Sequence, residues 1–464
     1  MEQFDKAKTI EVLKAQRSYF KSGATRSYGF RKKALKDLRE SIKKHEQELL
    51  DALHKDLHKP AFEAFISDIG TIYQELDHAL SHLKDWMRPE QVGTPISLQV
   101  ASSEIRHDPL GVVLIIAPWN YPFQLVIEPL IGAVAAGNCA LLKPSKAAPH
   151  TAAVTKKIIF EVFAPAHVSV VEGDGSAVVP ALVEAFRFDH IFFTGSTSVG
   201  KKIAALAATD LISVTLELGG KSPAIIDKEV DLKVATKRIA WGKFFNAGQT
   251  CIAPDHVLIH EDRKEEFLSI LKKTLFDFYG EEVQRSTHFG RIINNKQFEK
   301  LKDFLGQGKT SIGGQHAAEE RYIAPTVLTD ITHNDSVMQE EIFGPILPVL
   351  TWRTKEELLD LVGRNPFPLS TYIFSSNKAN IAYFTERIAF GGGCINHCLL
   401  HFGNSELPFG GIGYSGLGKY HGKHGFDTFS HSKPLMEAST LIDHGLQFPP
   451  YSMLKDRVLR WVLR

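Results

Sequence analysis

Apolar positions in the first ninety residues recur at helical spacing. Between residues 31 and 57, charged side chains separate five such positions, which are Leu35, Leu38, Ile42, Leu49 and Leu53. Apolar residues three and four apart share one face of a helix, and residues 62–87 continue the pattern up to Pro89. Residues 94–109 have β-branched side chains and little helical period, which predicts a hairpin projecting from these helices.

From Gly111 onward, short apolar runs alternate with longer amphipathic stretches. Strand-like runs begin near positions 112, 139, 168 and 190, with helical stretches between them. A second alternating region extends from 256 to 376 and includes the runs HVLIH, YIAPTVL, ILPVLTW and STYIFSS. Strands that alternate with helices indicate βαβ units and parallel sheets. We therefore expect an α/β protein with a boundary near Gly219 and Gly220.

Composition narrows the classes of function. A chain of 464 residues is too long for one ordinary core, so two or three domains are expected. The formal net charge of +1 gives no basic field, which argues against a nucleic-acid partner. Four scattered cysteines favour a reducing, cytoplasmic setting over a disulfide framework. The N-terminus has no apolar signal segment, and polar residues and prolines interrupt the most apolar stretch, 110–142, so a membrane span is not expected.

Three polar residues lie next to apolar runs. Glu217 ends an apolar strand, where burial would raise its pKa and make it a usable base. Cys251 follows Gly-Gln-Thr in a loop-like segment, and a thiolate there would be a nucleophile. Asn120 follows a buried strand, where its amide would donate to an oxyanion. The ordinary alternatives are a solvated glutamate, a structural cysteine and a turn asparagine.

Seven motifs occur in the order found in aldehyde dehydrogenases, and the resemblance covers nearly the whole chain. The most specific are LELGGKS and GQTC, which are accompanied by PWNYP, LLKPS, FTGSTSVGK, EEIFGP and LPFGGIGYSGLGKYHGKHGFDTFSH. The forms GQTCIAPD and YHGK…FDTFSH, with the short N-terminus, resemble the class 3 branch, which acts on fatty and aromatic aldehydes.

The resemblance implies a Rossmann-like cofactor domain, a second α/β catalytic domain and a small β bridging segment. The cofactor domain would comprise residues 1–87 and 108–219, and the catalytic domain 220–416. Residues 88–107 and 417–464 would form the oligomerisation hairpin and C-terminal tail. The implied assembly is a homodimer, since a projecting hairpin is marginal on its own in water.

The resemblance also assigns roles. Cys251 attacks the aldehyde to form a thiohemiacetal, and Asn120 and the Cys251 amide hold its oxyanion. Glu217 activates the water that hydrolyses the thioester left by hydride transfer. The implied activity is NAD- or NADP-dependent oxidation of a medium- or long-chain aliphatic or aromatic aldehyde to the carboxylic acid.

Residues 195–200, GSTSVG, follow a strand-like run and open a helical stretch. Glycines let the backbone approach phosphate, and a helix N-terminus attracts its charge, although the spacing is not G-x-G-x-x-G. The resemblance makes this segment the dinucleotide loop. The expected cofactor-binding residues are Trp119, Lys143, Lys146, Gly195, Ser196, Thr197, Ser198, Val199, Gly200, Glu341 and Phe343.

Lys146 departs from the family pattern. Relatives commonly have glutamate at the end of K-P-S-E, whereas this chain has KPSK. A carboxylate there repels the 2′-phosphate of NADP, and an ammonium reverses that sign. Both NAD and NADP are therefore expected as cofactors.

Two other segments allow alternative interpretations. CINHCLLH would place Cys394, His397, Cys398 and His401 on one face of a helix as zinc ligands. The preceding glycines and the strand and loop of relatives favour no metal there, and the same holds for HGKH at 421–424. Residues 452–464 predict a helix that closes the protein or covers a partner subunit. A tunnel lid or a membrane-surface contact is the alternative.

Three rival interpretations share the fold or the cysteine. A CoA-acylating aldehyde dehydrogenase generally lacks the water-activating base, whereas Glu217 is present. A non-redox cysteine acyl hydrolase would need a histidine partner, and the segment around Cys251 has none before His256. A catalytically inactive structural relative would not need Cys251, Glu217 and Asn120 together.

Overall fold

The computed structural model describes residues 4–442 and 445–463. The N-terminal region is helical, as predicted, and consists of α1 (Lys6–Lys21), α2 (Tyr28–Lys44), α3 (Glu46–Leu57), α4 (Ala61–Ala64), a π-helical turn (Phe65–Ile69) and α5 (Gly70–Trp86). The side chains of Asp5 and Ser27 cap α1 and α2 by accepting from amides of their first turns. The five apolar residues picked out by helical spacing are fully buried, so the periodicity marked the core-facing side.

Strand β1 (Glu90–Val92) pairs antiparallel with residues 103–105 of β2 (Ala101–Pro109). The predicted hairpin therefore exists, but its first arm precedes residues 94–109 instead of lying within them. The stretch contributes a single strand, because residues 96–98 form a 3₁₀ turn and not a second arm.

The first large sheet follows in a regular strand–helix alternation. Its elements are β3 (Val112–Ile116), α6 (Gln124–Ala136), β4 (Cys139–Lys143), α7 (Pro149–Val162), β5 (Val168–Val170), α8 (Gly175–Ala185), β6 (His190–Thr194), α9 (Thr197–Ala208) and β7 (Ser213–Glu217). These five strands are parallel, in the order β5-β4-β3-β6-β7 of a doubly wound sheet. The chain adds β4 and β5 on one side of β3 and then crosses over to add β6 and β7 on the other side, so the strand order switches between β3 and β6. Crevices open at the carboxyl ends of the strands at such a point. Helix α6 is buried on every side, so the most apolar stretch is core strand, loop and helix.

The second large sheet contains seven strands. The region comprises β8 (Pro223–Ile226), α10 (Leu232–Phe244), β9 (His256–His260), α11 (Lys264–Tyr279), α12 (Asn295–Lys302), β10 (Lys309–Ile312), β11 (His316–Ala317), β12 (Tyr322–Ile323), β13 (Thr326–Thr329), α13 (Ser336–Gln339), β14 (Ile346–Trp352), α14 (Lys355–Gly363), β15 (Ser370–Phe374), α15 (Lys378–Arg387) and β16 (Gly392–Ile395). The order is β10-β13-β14-β9-β8-β15-β16, with only β10 antiparallel. The run predicted as one strand at 322–328 is split, because β12 pairs with β11 and β13 joins the large sheet.

The last part of the chain returns to the first half. Strand β17 (Gly416–Leu417) pairs antiparallel with β7, and α16 (Gly422–Thr428) packs on α6. Strand β18 (Ser430–Ala438) pairs with β2 along its whole length and completes a three-stranded antiparallel sheet. The predicted C-terminal helix is α17 (Met453–Val462), and none of its residues is buried, so it does not close the fold of this chain. Arg464 lies outside the described residues.

No helix within residues 4–442 and 445–463 combines the length and the apolar run that crossing a bilayer requires.

Candidate active site

Cys251 lies on a tight turn that follows α10. Asn246, Ala247 and Gly248 have left-handed backbones, with φ of 53°, 51° and 74°. Such conformations cost energy for residues other than glycine and persist where the surroundings enforce them. A Cβ on Gly248 would lie 2.3 Å from the carbonyl oxygen of Gly344. The position before Gln-Thr-Cys therefore requires glycine.

Side-chain amides hold this turn in place. Asn246 Nδ2 donates to the carbonyl oxygens of Asn120 at 2.9 Å and Gln249 at 3.2 Å. Gln249 Nε2 donates to the carbonyl oxygen of Arg291 at 2.9 Å, and its Oε1 accepts from the amide of Ile293 at 3.0 Å. These bonds tie the Cys251 turn both to the loop after β3 and to the segment between α11 and α12.

A buried ion pair supports the loop that carries Asn120. Lys59 Nζ lies 2.7 Å from Asp68 Oδ2, with both side chains fully buried, and it also donates to the Asn120 carbonyl oxygen at 3.3 Å. Removing one partner of a buried pair leaves an uncompensated charge, which typically costs about 3–5 kcal/mol. Sequence reasoning missed Lys59 and Asp68, because both lie in a region that predicts only helical packing.

Glu217 lies at the carboxyl end of β7 and is only 2% exposed. Neither of its carboxylate oxygens has a hydrogen-bond partner within the described part of the chain. Burial, followed by the nearby Glu128, raises the pKa of Glu217 well above its usual range. Burial thus favours the neutral form of this carboxyl, and an unpaired buried carboxyl of this kind is a signature of function.

Burial also raises the pKa of the Cys251 thiol to about 12, and Glu341 and Glu217 add to that effect. The backbone amides of Cys251 and Ile252 oppose it, because they donate toward the sulfur. Cys251 is therefore a protonated thiol here and needs a base or a nearby positive charge to become a nucleophile.

Two cavities meet at Cys251. The first, here called the apolar cavity, has a volume of about 200 Å³. Its lining is mainly aliphatic and aromatic and consists of Ile66, Ser67, Thr71, Tyr121, Gln124, Leu125, Thr194, Glu217, Leu218, Trp241, Phe245, Thr250, Cys251, Ile252, Leu369, Leu399, Leu400, Phe402, Gly403, Phe409 and Tyr420.

The second, here called the polar cleft, has a volume of about 930 Å³ and lies at the carboxyl end of the doubly wound sheet. Its walls include Asn120, Glu217 and Cys251, the last two of which also line the apolar cavity. Ten of the eleven residues expected to bind cofactor border it, and these are Trp119, Lys143, Lys146, Gly195, Ser196, Thr197, Ser198, Val199, Glu341 and Phe343.

Gly200 is the exception among the expected cofactor residues, since it does not border the polar cleft. A Cβ on it would lie 2.6 Å from Leu218 Cδ2, so this glycine allows α9 to pack closely on β7. The start of α9 does face the cleft, and the Ser196 side chain makes no capping hydrogen bond there. Amides at a helix N-terminus attract negative charge, so this end of the cleft fits a dinucleotide phosphate.

Charged groups in the polar cleft include some that the sequence did not reveal. Lys146 forms an ion pair with Asp174, the residue that caps α8. Burial lowers the pKa of Lys143. Burial, and then Asp255, raises the pKa of Glu341 to about 8. The cleft is also bordered by Tyr414 of the LPFGGIGYSGLGK motif. Its other lining residues include Gly175, Asn294, Lys296, Gln297, Lys300 and Arg364, for which the sequence offered no recognisable signal.

The CINHCLLH segment forms β16 and a following loop, as expected, and not a helix. Cys394 Sγ lies 3.4 Å from His401 Nδ1, but His397 Nδ1 bonds to the backbone of Cys398. These four side chains do not gather around one point in the part of the chain that the structure covers.

The chain is similar to known proteins over nearly its whole length. The aldehyde dehydrogenase family model matches residues 1–435. The 4,4'-diaponeurosporen-aldehyde dehydrogenase of Staphylococcus aureus is 45% identical, over 94% of this chain and 95% of that protein. Aldehyde dehydrogenase family 3 member B1 of Mus musculus is 44% identical, over 97% and 96%. The solved substrate-bound state of S. aureus AldH has a TM-score of 0.96 at 43% identity and covers 98% of this chain and 99% of that one.

The chain therefore belongs to the aldehyde dehydrogenase family. Its class 3 resemblance is confirmed by the family 3 relative, and the expected α/β fold is confirmed as well. Members of this family oxidise aldehydes with NAD(P) as cofactor, so the chain is an aldehyde oxidoreductase, and the CoA-acylating and hydrolase alternatives are not favoured.

Proposed function

We propose that this enzyme oxidises apolar aldehydes, medium- or long-chain aliphatic or aromatic, to carboxylic acids at Cys251. The observation that carries the proposal is the meeting of the apolar cavity and the polar cleft at Cys251 and Glu217. An aldehyde entering from one side and a dinucleotide bound on the other would both reach the sulfur.

Cys251 is the proposed nucleophile. Its sulfur bonds to the aldehyde carbon while the thiol proton leaves to a base, and the carbonyl oxygen becomes an oxyanion. Asn120 and the Cys251 amide are the proposed donors to that oxygen, since one such donor is typically worth about 3–4 kcal/mol. The Asn246 and Lys59 bonds to the Asn120 backbone hold this loop against the Cys251 turn.

Glu217 is the proposed base for hydrolysis. The thiohemiacetal on Cys251 would give up its hydride to oxidised NAD(P) held in the polar cleft, which would leave a thioester on Cys251. In its ionised form Glu217 takes a proton from water, the resulting hydroxide adds to the thioester carbon, and the acid leaves as Cys251 regains its thiol. The lack of hydrogen-bond partners on the Glu217 oxygens supports this role, because no described group competes for the proton.

The residues that fit the cofactor border the polar cleft. The N-terminus of α9 suits a phosphate, Lys143 a ribose hydroxyl, and Glu341 with Phe343 the nicotinamide end. The absence of a side chain at Gly219 leaves room for the Glu341 carboxylate in the cleft, because a Cβ on Gly219 would lie 2.1 Å from Glu341 Oε2. We propose that both NAD and NADP bind here, with Lys146 beside the adenosine ribose.

The apolar lining supports the proposed substrate class. The S. aureus relative is named for diaponeurosporen-aldehyde, which agrees with an apolar substrate. Each methylene that the cavity removes from water is worth about 0.8 kcal/mol, or roughly fourfold in kcat/KM.

The test is a panel of straight-chain aldehydes of increasing length, with benzaldehyde, each assayed with NAD and with NADP. We expect kcat/KM to rise about fourfold per methylene until the cavity is full, with the free acid as product. A flat profile would remove the substrate proposal. A thioester of added CoA as the product would instead indicate the acylating alternative.

We propose that the boundary between the cofactor and catalytic domains lies at residues 219–220. We also propose a homodimer built on the three-stranded sheet of β1, β2 and β18. Every residue of β1 is exposed, and apolar side chains around this sheet and α17 are exposed as well, including Ile96, Met436, Leu454 and Trp461. Several large apolar side chains exposed in one region favour an interface there. A monomeric mass in light scattering at micromolar concentration would refute the dimer.

A further inference from the structure

Two histidines and a glutamate meet at the surface of α5, outside the linings of the apolar cavity and the polar cleft. His78 and His82 lie one helical turn apart, with ring centroids separated by 4.3 Å, and Glu406 approaches them from a loop. A ligand atom of each side chain lies within 4.8 Å of those of the other two. In residues 4–442 and 445–463, no other group of three His, Cys, Asp or Glu side chains is so arranged.

The spacing of these groups suits one transition-metal ion. Zinc binds imidazole nitrogen and carboxylate oxygen at about 2.0–2.2 Å, which places two tetrahedral ligands about 3.4 Å apart. His78 Nδ1 already lies 3.7 Å from Glu406 Oε1. Small side-chain rotations would bring the three groups around an ion, and two imidazoles with a carboxylate form a known zinc ligand set.

A neighbouring hydrogen bond prepares His82 for this role. His82 Nδ1 lies 2.9 Å from the backbone carbonyl oxygen of His78. Because a carbonyl only accepts, Nδ1 carries the proton and the lone pair of Nε2 is left for a ligand. Trp86 stacks on the His82 ring at 6.0 Å with an interplanar angle of 15°. Metal-binding histidines are typically oriented by such a bond from the second ring nitrogen.

The cluster links two segments that both line the apolar cavity. Thr71 contributes from the first turn of α5, and the other segment contributes Leu399, Leu400, Phe402, Gly403 and Phe409. Glu406 lies between Gly403 and Phe409. An ion bound at once to α5 and to Glu406 would therefore join the two sides of the cavity wall.

We propose that His78, His82 and Glu406 bind one divalent transition-metal ion of the zinc class, with water as the fourth ligand. The bound ion holds residues 399–409 against α5. Binding and the proposed oxidation are tested separately, because the binding assay needs no turnover.

The binding test titrates Co²⁺, and then competing Zn²⁺, into tag-free, chelator-treated protein. The parent carries Cys251→Ser, which removes a thiol that would compete for soft metals. We expect one Co²⁺ per chain with d–d absorption and no thiolate-to-cobalt charge-transfer band. Glu406→Gln should weaken binding about tenfold and His82→Gln at least as much, since each removes one ligand.

A matched control lies in the last turn of α3 and at its C-cap. His54 and His58 also have ring centroids 4.3 Å apart, but no third ligand joins them among the described residues. His54→Gln should leave the affinity within about twofold. The site is refuted if Glu406→Gln, which changes an exposed side chain, leaves the affinity unaltered. Equal losses from His54→Gln, or a band that reports a cysteine ligand, would refute it as well.

Hydrogen exchange tests whether the bound ion holds residues 399–409 against α5, an effect called the clamp below. With Zn²⁺, amides of residues 399–409 should exchange severalfold more slowly in the parent, because fixing the segment suppresses local opening. The same amides should not respond to Zn²⁺ in Glu406→Gln. Equal exchange in the parent with and without Zn²⁺ would overturn the clamp even if the ion binds.

Discussion

The two cavities that meet at Cys251 offer opposite environments. The apolar cavity has a volume of about 200 Å³ and is walled mainly by aliphatic and aromatic side chains. The polar cleft has a volume of about 930 Å³, and its walls carry lysines, an arginine and glutamates. Five residues belong to both walls, and these are Leu125, Thr194, Glu217, Leu218 and Cys251.

The difference would allow one sulfur to serve the two proposed reactants, an aldehyde and a dinucleotide. Phosphates and ribose are recognised by charge and by helix N-termini, which the polar cleft offers and the apolar cavity lacks. The aldehyde chain is recognised by removal of apolar surface from water. Glu217 and Cys251 lie at the junction, where burial raises the pKa of both groups. The two functions should therefore be separable by mutation everywhere except at this junction.

Cys251→Ser should give the largest effect. A hydroxyl is a far weaker nucleophile than a thiolate at neutral pH, so turnover should fall by about 10⁴-fold or more. Cofactor affinity, measured by quenching of tryptophan fluorescence, should stay within about twofold. Substantial residual dehydrogenase activity would mean that the sulfur is not the nucleophile.

A charge placed in the apolar cavity should impair use of the aldehyde and leave cofactor binding unchanged. Ile66→Asp puts a carboxylate against an apolar wall, and a penalty of about 2–3 kcal/mol corresponds to a loss of roughly 100-fold in kcat/KM for an apolar aldehyde. Ile66→Val is the matched control and should lose less than tenfold. If KM for NAD rises in parallel with KM for the aldehyde, the two cavities are not independent.

The junction predicts the pH dependence. Burial raises the pKa of Cys251 to about 12 and raises that of Glu217 well above its usual range. Nucleophile and base act in their deprotonated forms, so activity falls as pH drops below these values. We expect kcat/KM to rise up to about tenfold per pH unit from pH 6 to 8. Thermal stability measured at each pH guards against unfolding, and a rate that falls over this range contradicts the assignment.

Lys146 and Asp174 should give the smallest effect, at the far end of the polar cleft. The two side chains are about half exposed and pair with each other, so the Lys146 charge is partly offset and screened. Lys146→Glu should shift the kcat/KM ratio toward NAD by up to about fivefold, and Asp174→Asn should shift it modestly toward NADP. Both shifts should shrink at high salt. Unchanged ratios at low salt would show that the pair has no part in cofactor choice.

The hydrophobic pattern along the chain predicted the helices and the buried strands, because each depends on residues close together in the sequence. The spacing of Leu35, Leu38 and Ile42 reports burial of a helix face, and the run ending at Glu217 reports a buried strand with a polar end. The partner of β2 was not predictable, because β18 lies more than three hundred residues later in the chain and nothing in either strand specifies the other.

The same limit applies to the site. Cys251, Glu217 and Asn120 were found through motifs that lie in short segments. The groups that hold or perturb them come from other parts of the chain, such as Lys59 beneath the Asn120 loop and Glu128, which raises the pKa of Glu217. Asp174 opposite Lys146 was missed for this reason. Charge compensation is a property of the folded arrangement and leaves no periodic trace in the sequence.

The central claim is that aldehyde and cofactor meet at Cys251 and that Glu217 releases the product. Glu217→Gln removes the base, so deacylation should slow by about 10²–10⁴-fold while acylation continues. Mixing this variant with aldehyde and NAD should give a burst of about one NADH per subunit. Intact-protein mass spectrometry should then find one acyl group, which maps to Cys251 and is absent without NAD and in the Cys251→Ser double variant. Normal steady turnover with no acyl-enzyme, or an acyl group on another residue, would contradict the account.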